Sequence, residues 1–175
     1  MLTNRMELFV IAAVVVIGMA AAFFFALQRV HPRPLDSTVT IYPDRSAPTP
    51  RSGQVGAGGH TFRVELARTI IEHSRGLSGR ERLGDDEGMF FIFGSSSVQH
   101  FWMKDMRFPI DIIWIRGDRV VGTTENMEPE PTKSIFTLTV YSSPEPADRV
   151  LEVNAGTVAT YGIRAGDAAV FTPTP

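Results

Sequence analysis

From Thr61 to Ala67 the apolar Phe62, Val64 and Leu66 alternate with Thr61, Arg63 and Glu65, and a period of two is that of a half-buried strand. The pattern then changes at Thr69-Ile70-Ile71-Glu72. Here the Thr69 side chain can accept from the Glu72 backbone while Glu72 returns the bond, and Gly76 supplies a stop, so the segment predicts a helix of about two turns. Residues 89–93 and 110–115 are dense runs of β-branched and aromatic groups, the mark of strands buried on both faces. Weaker strands are predicted at 119–124, 135–141, 149–153 and 168–171, with Gly117-Asp118 as a tight turn and 157–161, closed by Gly162, as one helical turn. Many short strands punctuated by turn residues predict a mainly β fold: a small antiparallel barrel-like domain with one or two short helices, or in the alternative an α+β arrangement.

The first 59 residues follow other patterns. After a short tail, residues 1–7, the 20 residues 8–27 carry no charge, and at ~1.5 Å per residue they make a helix of about 30 Å, the thickness of a bilayer's hydrocarbon core. A single N-terminal transmembrane anchor is predicted. The rival is a cleaved signal peptide, since Ala20 and Ala22 form a small-x-small site. Cleavage there would leave Phe23, Phe24 and Phe25 at a new N-terminus, so the uncleaved anchor is preferred. Residues 28–59 are rich first in proline and then in glycine, as in a linker that is semi-rigid and then flexible. Within it, residues 37–42 alternate Val39 and Ile41 with threonines and suit an edge strand ended by Pro43. The β-rich domain is assigned to residues 60–172, with 173–175 as a tail.

Charge narrows the function. The 175 residues hold 17 basic and 19 acidic side chains. Five arginines against Glu7, Asp36 and Asp44 leave the first 59 residues at +2, and 12 basic against 16 acidic groups leave the rest at −4. A domain of that sign is not expected to bind nucleic acid. With no cysteine, disulfides, thiolate metal sites and a cysteine nucleophile are excluded. His31, His60, His73 and His100 lack ligand spacing, so no metal and no cofactor is expected.

The densest polar and aromatic cluster is Gln99-His100-Phe101-Trp102-Met103-Lys104-Asp105, continued by Phe108-Pro109-Ile110-Asp111. A turn at Arg107 and Phe108 would set Lys104 opposite Asp111 as a cross-strand ion pair. In one reading this pair is structural. In the other, Trp102 stacks a ligand while Lys104 meets an anionic group. A second cluster, Leu151-Glu152-Val153-Asn154-Ala155-Gly156, puts Glu152 and Asn154 on one strand face with Leu151 and Val153 packing inward. Glu152 there either faces water or joins Asp111 as paired carboxylates for acid and base catalysis.

These blocks resemble the bacterial and archaeal family catalogued as domain of unknown function 192 (DUF192). The likeness spans roughly residues 62–171. It is carried by Arg75-Gly76-Leu77, Asp86-Glu87-Gly88-Met89-Phe90-Phe91-Ile92-Phe93, Phe101-Trp102-Met103-Lys104, Pro109-Ile110-Asp111-Ile112-Ile113, the block from Leu151 to Gly156, and Gly166-Asp167. The resemblance implies a compact β-rich domain behind a signal peptide or anchor, and hence outside the cytoplasm. The arginines Arg29, Arg33 and Arg45 after the apolar run weakly favour the opposite orientation. It supplies no catalytic residues, because the family has no established reaction. The chain departs from the family where Asp105-Met106 replaces the usual Asn-Thr after Lys104, and where the segment before Tyr141 lacks cysteine.

The expectation is therefore a membrane-anchored extracytoplasmic domain that binds a small ligand or a cell-envelope partner. Trp102, Lys104, Asp111, Glu152 and Asn154 would border its groove, with Tyr141 nearby. The alternatives are a hydrolase acting on an envelope polymer through Asp111 and Glu152, and a non-catalytic scaffold of a membrane assembly.

Overall fold

The computed structural model describes residues 51–174. The predicted anchor at 8–27 and the edge strand at 37–42 lie outside them. Among the described residues no helix is long and apolar enough to cross a membrane.

The domain opens with a hairpin of β1 (Ser52–Ala57) and β2 (His60–Ala67), paired Ala57 to His60. Gly58 and Gly59 form its two-residue turn, with φ of 58° and 75°. Positive φ at both central positions matches the turn to the strand twist, and glycine reaches it without steric cost. The sheet thus begins at Ser52, inside the stretch read from composition as a linker. Its glycines are a tight turn and small strand positions flanking the buried Val55.

Helix α1 (Ile70–Arg75) follows, with both hydrogen bonds of the Thr69–Glu72 capping box formed. It connects β2 to β3 (Glu87–Ser97), and these two strands are parallel. Next come β4 (His100–Phe101), β5 (Ile110–Arg116), β6 (Arg119–Met127), β7 (Tyr141–Ser142), β8 (Ala147–Asn154), the short helix α2 (Thr157–Tyr161) and β9 (Ala169–Pro173). The main sheet has the order β6-β5-β8-β3-β2-β1-β9, and β4 pairs with β7 in a separate ribbon. Every pair except β2–β3 is antiparallel. The fold is mainly β, a sheet curled into a half-barrel with two short helices. Its outer strands meet only at one end, where Arg119 bridges Ala168 and Val120 N–H donates to Asp167 O at 2.9 Å.

The register sorts the side chains into two layers. Leu66, Phe90, Leu151 and Ile113 align across four strands and point into the half-barrel with Phe62, Val64 and Ile115. Ala67, Phe91, Val150 and Trp114 align on the opposite face and pack beneath Leu77, Met103 and Met106 from the covering loops. The central strands are buried on both faces, as their unbroken apolar runs predict.

Residues 135–140 form no strand, and of the predicted strand only Tyr141 pairs, in β7. The Glu130 carboxylate accepts from Thr139 N–H at 2.9 Å, from its hydroxyl at 2.6 Å and from Lys133 Nζ at 2.5 Å. The chain wraps around this one side chain as a loop, leaving Ile135 and Phe136 exposed. Those hydrogen bonds hold the Glu130 carboxyl down at about 2.

Candidate functional site

A cavity of about 200 Å³ opens on the loop-covered face of the sheet. Its floor is β3 and β8, contributing Phe91, Phe93 and Glu152. One wall is α1 with the loop that leaves it, from Ile70 and His73 to Ser78, and the other is His100, Phe101, Trp102 and Met106.

Local chemistry builds each wall. Gly76 ends α1 at φ 49° and ψ −135°, a conformation that glycine alone adopts without strain, and its N–H donates to Glu72 O at 2.9 Å. The chain then turns across the sheet and plugs Leu77 into the core. The facing loop is stitched to it by the Ser78 hydroxyl donating to Lys104 O and by Gly79 N–H donating to Asp105 O, both at 2.9 Å. Asp105 holds a positive φ of 57°, a conformation that aspartate and asparagine tolerate better than most residues. Met103 and Met106 are buried anchors on either side of that turn, and Trp102 is left at the rim, 47% exposed.

Glu152 is the unusual group. It aligns with Glu65, Met89 and Ile112 across four strands, so it lies under the loops and is only 5% exposed. Its Oε2 is buried without a hydrogen-bond partner. A Cβ at Gly76 would lie 3.7 Å from that oxygen. Burial pushes the Glu152 carboxyl up to about 8, against a smaller opposing pull from the Arg80 guanidinium. That guanidinium is itself committed, forking the Glu65 carboxylate at 2.7 and 2.6 Å. At neutral pH the pocket floor is therefore a protonated acid able both to donate and to accept.

The six residues singled out by sequence are distributed differently. Trp102 and Glu152 meet in the cavity. Lys104 pairs with its neighbour Asp105, and the expected Lys104–Asp111 ion pair is absent, because β4 pairs with β7 while β5 lies between β6 and β8. Asp111 is fully buried. Its Oδ1 accepts from Asn126 N–H, at the irregular pairing of β5 with β6, and its Oδ2 from Val158 N–H in the first turn of α2, both at 2.9 Å. Asn154 Nδ2 donates to the carbonyls of Leu83 and Gly84 at 3.2 and 3.1 Å. Tyr141 packs with the apolar layer beneath the loops.

Register also separates the two candidate acids. Asp111 stands opposite Val153 and Ile112 opposite Glu152, and since successive strand residues point to opposite faces, the two carboxyl groups lie on opposite sides of the sheet. They are not a catalytic pair.

Sequence reasoning missed His73, Phe93 and the Ser78 loop. His73 Nε2 lies 3.1 Å from Ala67 O, and its ring packs 4.5 Å from that of Phe93. His100 Nδ1 lies 2.9 Å from Ser142 Oγ across the ribbon. The one available signal was Arg75-Gly76-Leu77, whose glycine marks the turn that roofs Glu152. Among the described residues no group of three acidic or histidine side chains is placed to hold a metal.

The family model DUF192, described as an uncharacterised conserved region, matches residues 53–171. A solved protein of unknown function from Novosphingobium aromaticivorans is 38% identical, with a TM-score of 0.60 over 68% of this chain and 83% of its own. A Sinorhizobium meliloti protein described as a candidate transcription regulator is 31% identical, with a TM-score of 0.62 over 70% of this chain and 95% of its own. No curated protein matches.

Proposed function

Since the chain belongs to the DUF192 family, which carries no assigned activity, we propose its function from the site itself: a small-ligand-binding domain whose pocket lies between α1 and Trp102. The observation that supports this is a partnerless buried oxygen, Glu152 Oε2, on the floor of an aromatic-lined cavity. An orphaned polar atom costs about 1–3 kcal/mol, and a ligand that pairs with it recovers that cost. Ligand sites combine apolar walls with a few placed polar groups in this way. Catalysis is a poorer reading, because the Ser78 hydroxyl is spent on Lys104 O and Asp111 is spent on backbone. The Sinorhizobium description is not carried over, because the segment from His60 onward has 12 basic against 16 acidic residues, the wrong sign for broad nucleic-acid contact.

A mixed fragment set screened against the full chain is expected to yield compounds that raise the melting temperature. Saturation at ~100 times the dissociation constant adds about 2.7 kcal/mol, roughly 5–10 °C in a domain of this size. Trp102→Ala and Phe93→Ala are both expected to erase the shift. A shift that survives both variants places the ligand elsewhere and defeats the reading.

In this reading residues 8–27 hold the domain at a membrane, on the extracytoplasmic side. The chain is then expected to stay with membranes through an alkaline carbonate wash and to be digested by protease added to cells stripped of any outer envelope but with a sealed cytoplasmic membrane. Release by the wash would reject the anchor, and protection until the cytoplasmic membrane is lysed would reject the orientation.

A further inference from the structure

Resting on that reading of the pocket, we propose that its ligand is a small organic ammonium ion, with Glu152 as counter-ion and the rings of Phe91, Phe93, Phe101 and Trp102 around it. Three ligand classes compete for this cavity. An apolar molecule would fill the space but leave Oε2 unpaired, so the cost of burying that oxygen would remain. An anion could accept from the protonated acid, but it leaves the buried acceptor oxygen unpaired and is repelled once the carboxyl ionises. A cation gains on both counts where the carboxyl is ionised, because it then neutralises Glu152 and its charge is attracted to aromatic faces, an interaction worth up to ~2 kcal/mol when desolvated. Size adds a bound. A cavity of about 200 Å³ suits a small ion rather than an extended one.

The surrounding charges are compatible with this assignment. Arg80, the cation nearest in effect to Glu152, is held by the bidentate grip of Glu65 and lies close enough to feel Glu87 as well. Arg75 lines the cavity from the exposed end of α1, where solvent screens its charge. His73 and His100 have ring nitrogens engaged at Ala67 O and Ser142 Oγ. No second carboxylate shares the cavity lining with Glu152.

Binding is coupled to a proton. Glu152 is neutral below about 8, so an incoming permanent cation pairs with the carboxylate as the carboxyl proton passes to solvent. Affinity is expected to rise about tenfold per pH unit below that value and to level off above it.

The test compares choline with its uncharged isostere 3,3-dimethylbutan-1-ol and with butyrate, titrated calorimetrically into the full chain at pH 6, 7 and 8.5. At pH 8.5 choline is expected to bind at least tenfold more tightly than the alcohol and to outbind butyrate, and at pH 7 to release close to one proton. Glu152→Gln keeps the shape of the floor without its charge, and is expected to reduce choline to the affinity of the alcohol. Equal or tighter binding of the alcohol or butyrate at pH 8.5, or a choline preference that persists in Glu152→Gln, overturns the assignment. If the alcohol binds and Trp102→Ala abolishes that binding, the pocket remains a ligand site and only the cationic class falls. If none of the three binds, the cationic class falls likewise, and the fragment screen decides the pocket.

Discussion

Asp111→Ala is expected to lower the melting temperature of the domain by roughly 10–20 °C, the loss of about 3–5 kcal/mol expected from two charge-assisted hydrogen bonds. The carboxylate joins two places where backbone N–H groups lack ladder partners. One is Asn126, which holds a positive φ of 52° where the β5–β6 register shifts, and the other is Val158 at the start of α2. A helix as short as Thr157–Tyr161 has no side-chain cap of its own, since its N-cap is Gly156. Removal of the carboxylate strands buried donors and frees both segments. Asp111→Asn retains one acceptor and turns an amide donor towards the other N–H, so about half of the loss or more is expected. Thermal melts by circular dichroism measure both, and an alanine variant melting within about 3 °C of the parent would show that Asp111 is not the fastener described.

The second large effect is on the pH dependence of stability. In the unfolded chain the Glu152 carboxyl titrates near 4.5, and in the fold burial raises it to about 8. Between these values the folded state holds a proton that the unfolded state has lost. Stability contributed by this group is therefore full below about 4.5, declines as pH rises, and is gone above about 8. At ~1.4 kcal/mol per unit the decline reaches at most about 5 kcal/mol, less where water or loop movement relaxes the site. Carboxyls held low, such as Glu65 beside Arg80, act in the opposite direction and at more acidic pH. Urea melts of the parent and Glu152→Gln at pH 5, 7 and 9 isolate the group. The two are expected to converge at pH 5, with the glutamine variant several kcal/mol more stable at pH 9. Parallel curves would mean that Glu152 titrates normally.

Taken together, the two acids show how far a strand pattern reaches. Alternation through Leu151-Glu152-Val153-Asn154 is visible in sequence, and the structure places Leu151 and Val153 in the half-barrel interior with Glu152 and Asn154 on the other face. Whether that other face met water was not visible. It is covered by the loop leaving α1 and the loop holding Trp102, and neither has a periodic signal that says where it lands. The same gap explains Lys104. Counting residues from a turn presumes that the flanking segments pair with each other, yet β4 pairs with β7, some forty residues on.

Local geometry was legible because it depends on neighbours within a few residues. The Thr69–Glu72 capping box, the Gly76 stop, the Gly162 stop and the period-two strands all answer to backbone hydrogen bonds and φ limits. The Gly58-Gly59 hairpin obeys the same rule, but it sits at the end of a proline- and glycine-rich stretch whose composition is also that of a linker. The sequence by itself thus determined the family, the mainly β character and which side of each strand is apolar. Only the tertiary structure decided that Asp111 and Glu152 are separated by the sheet, that Asp111 is held by two backbone N–H groups, and that Glu152 is a buried acid lining a pocket. The physical reason is that a carboxyl's role depends on its solvation and its partners, and here loops distant in sequence decide whether water, a backbone N–H or nothing meets each oxygen.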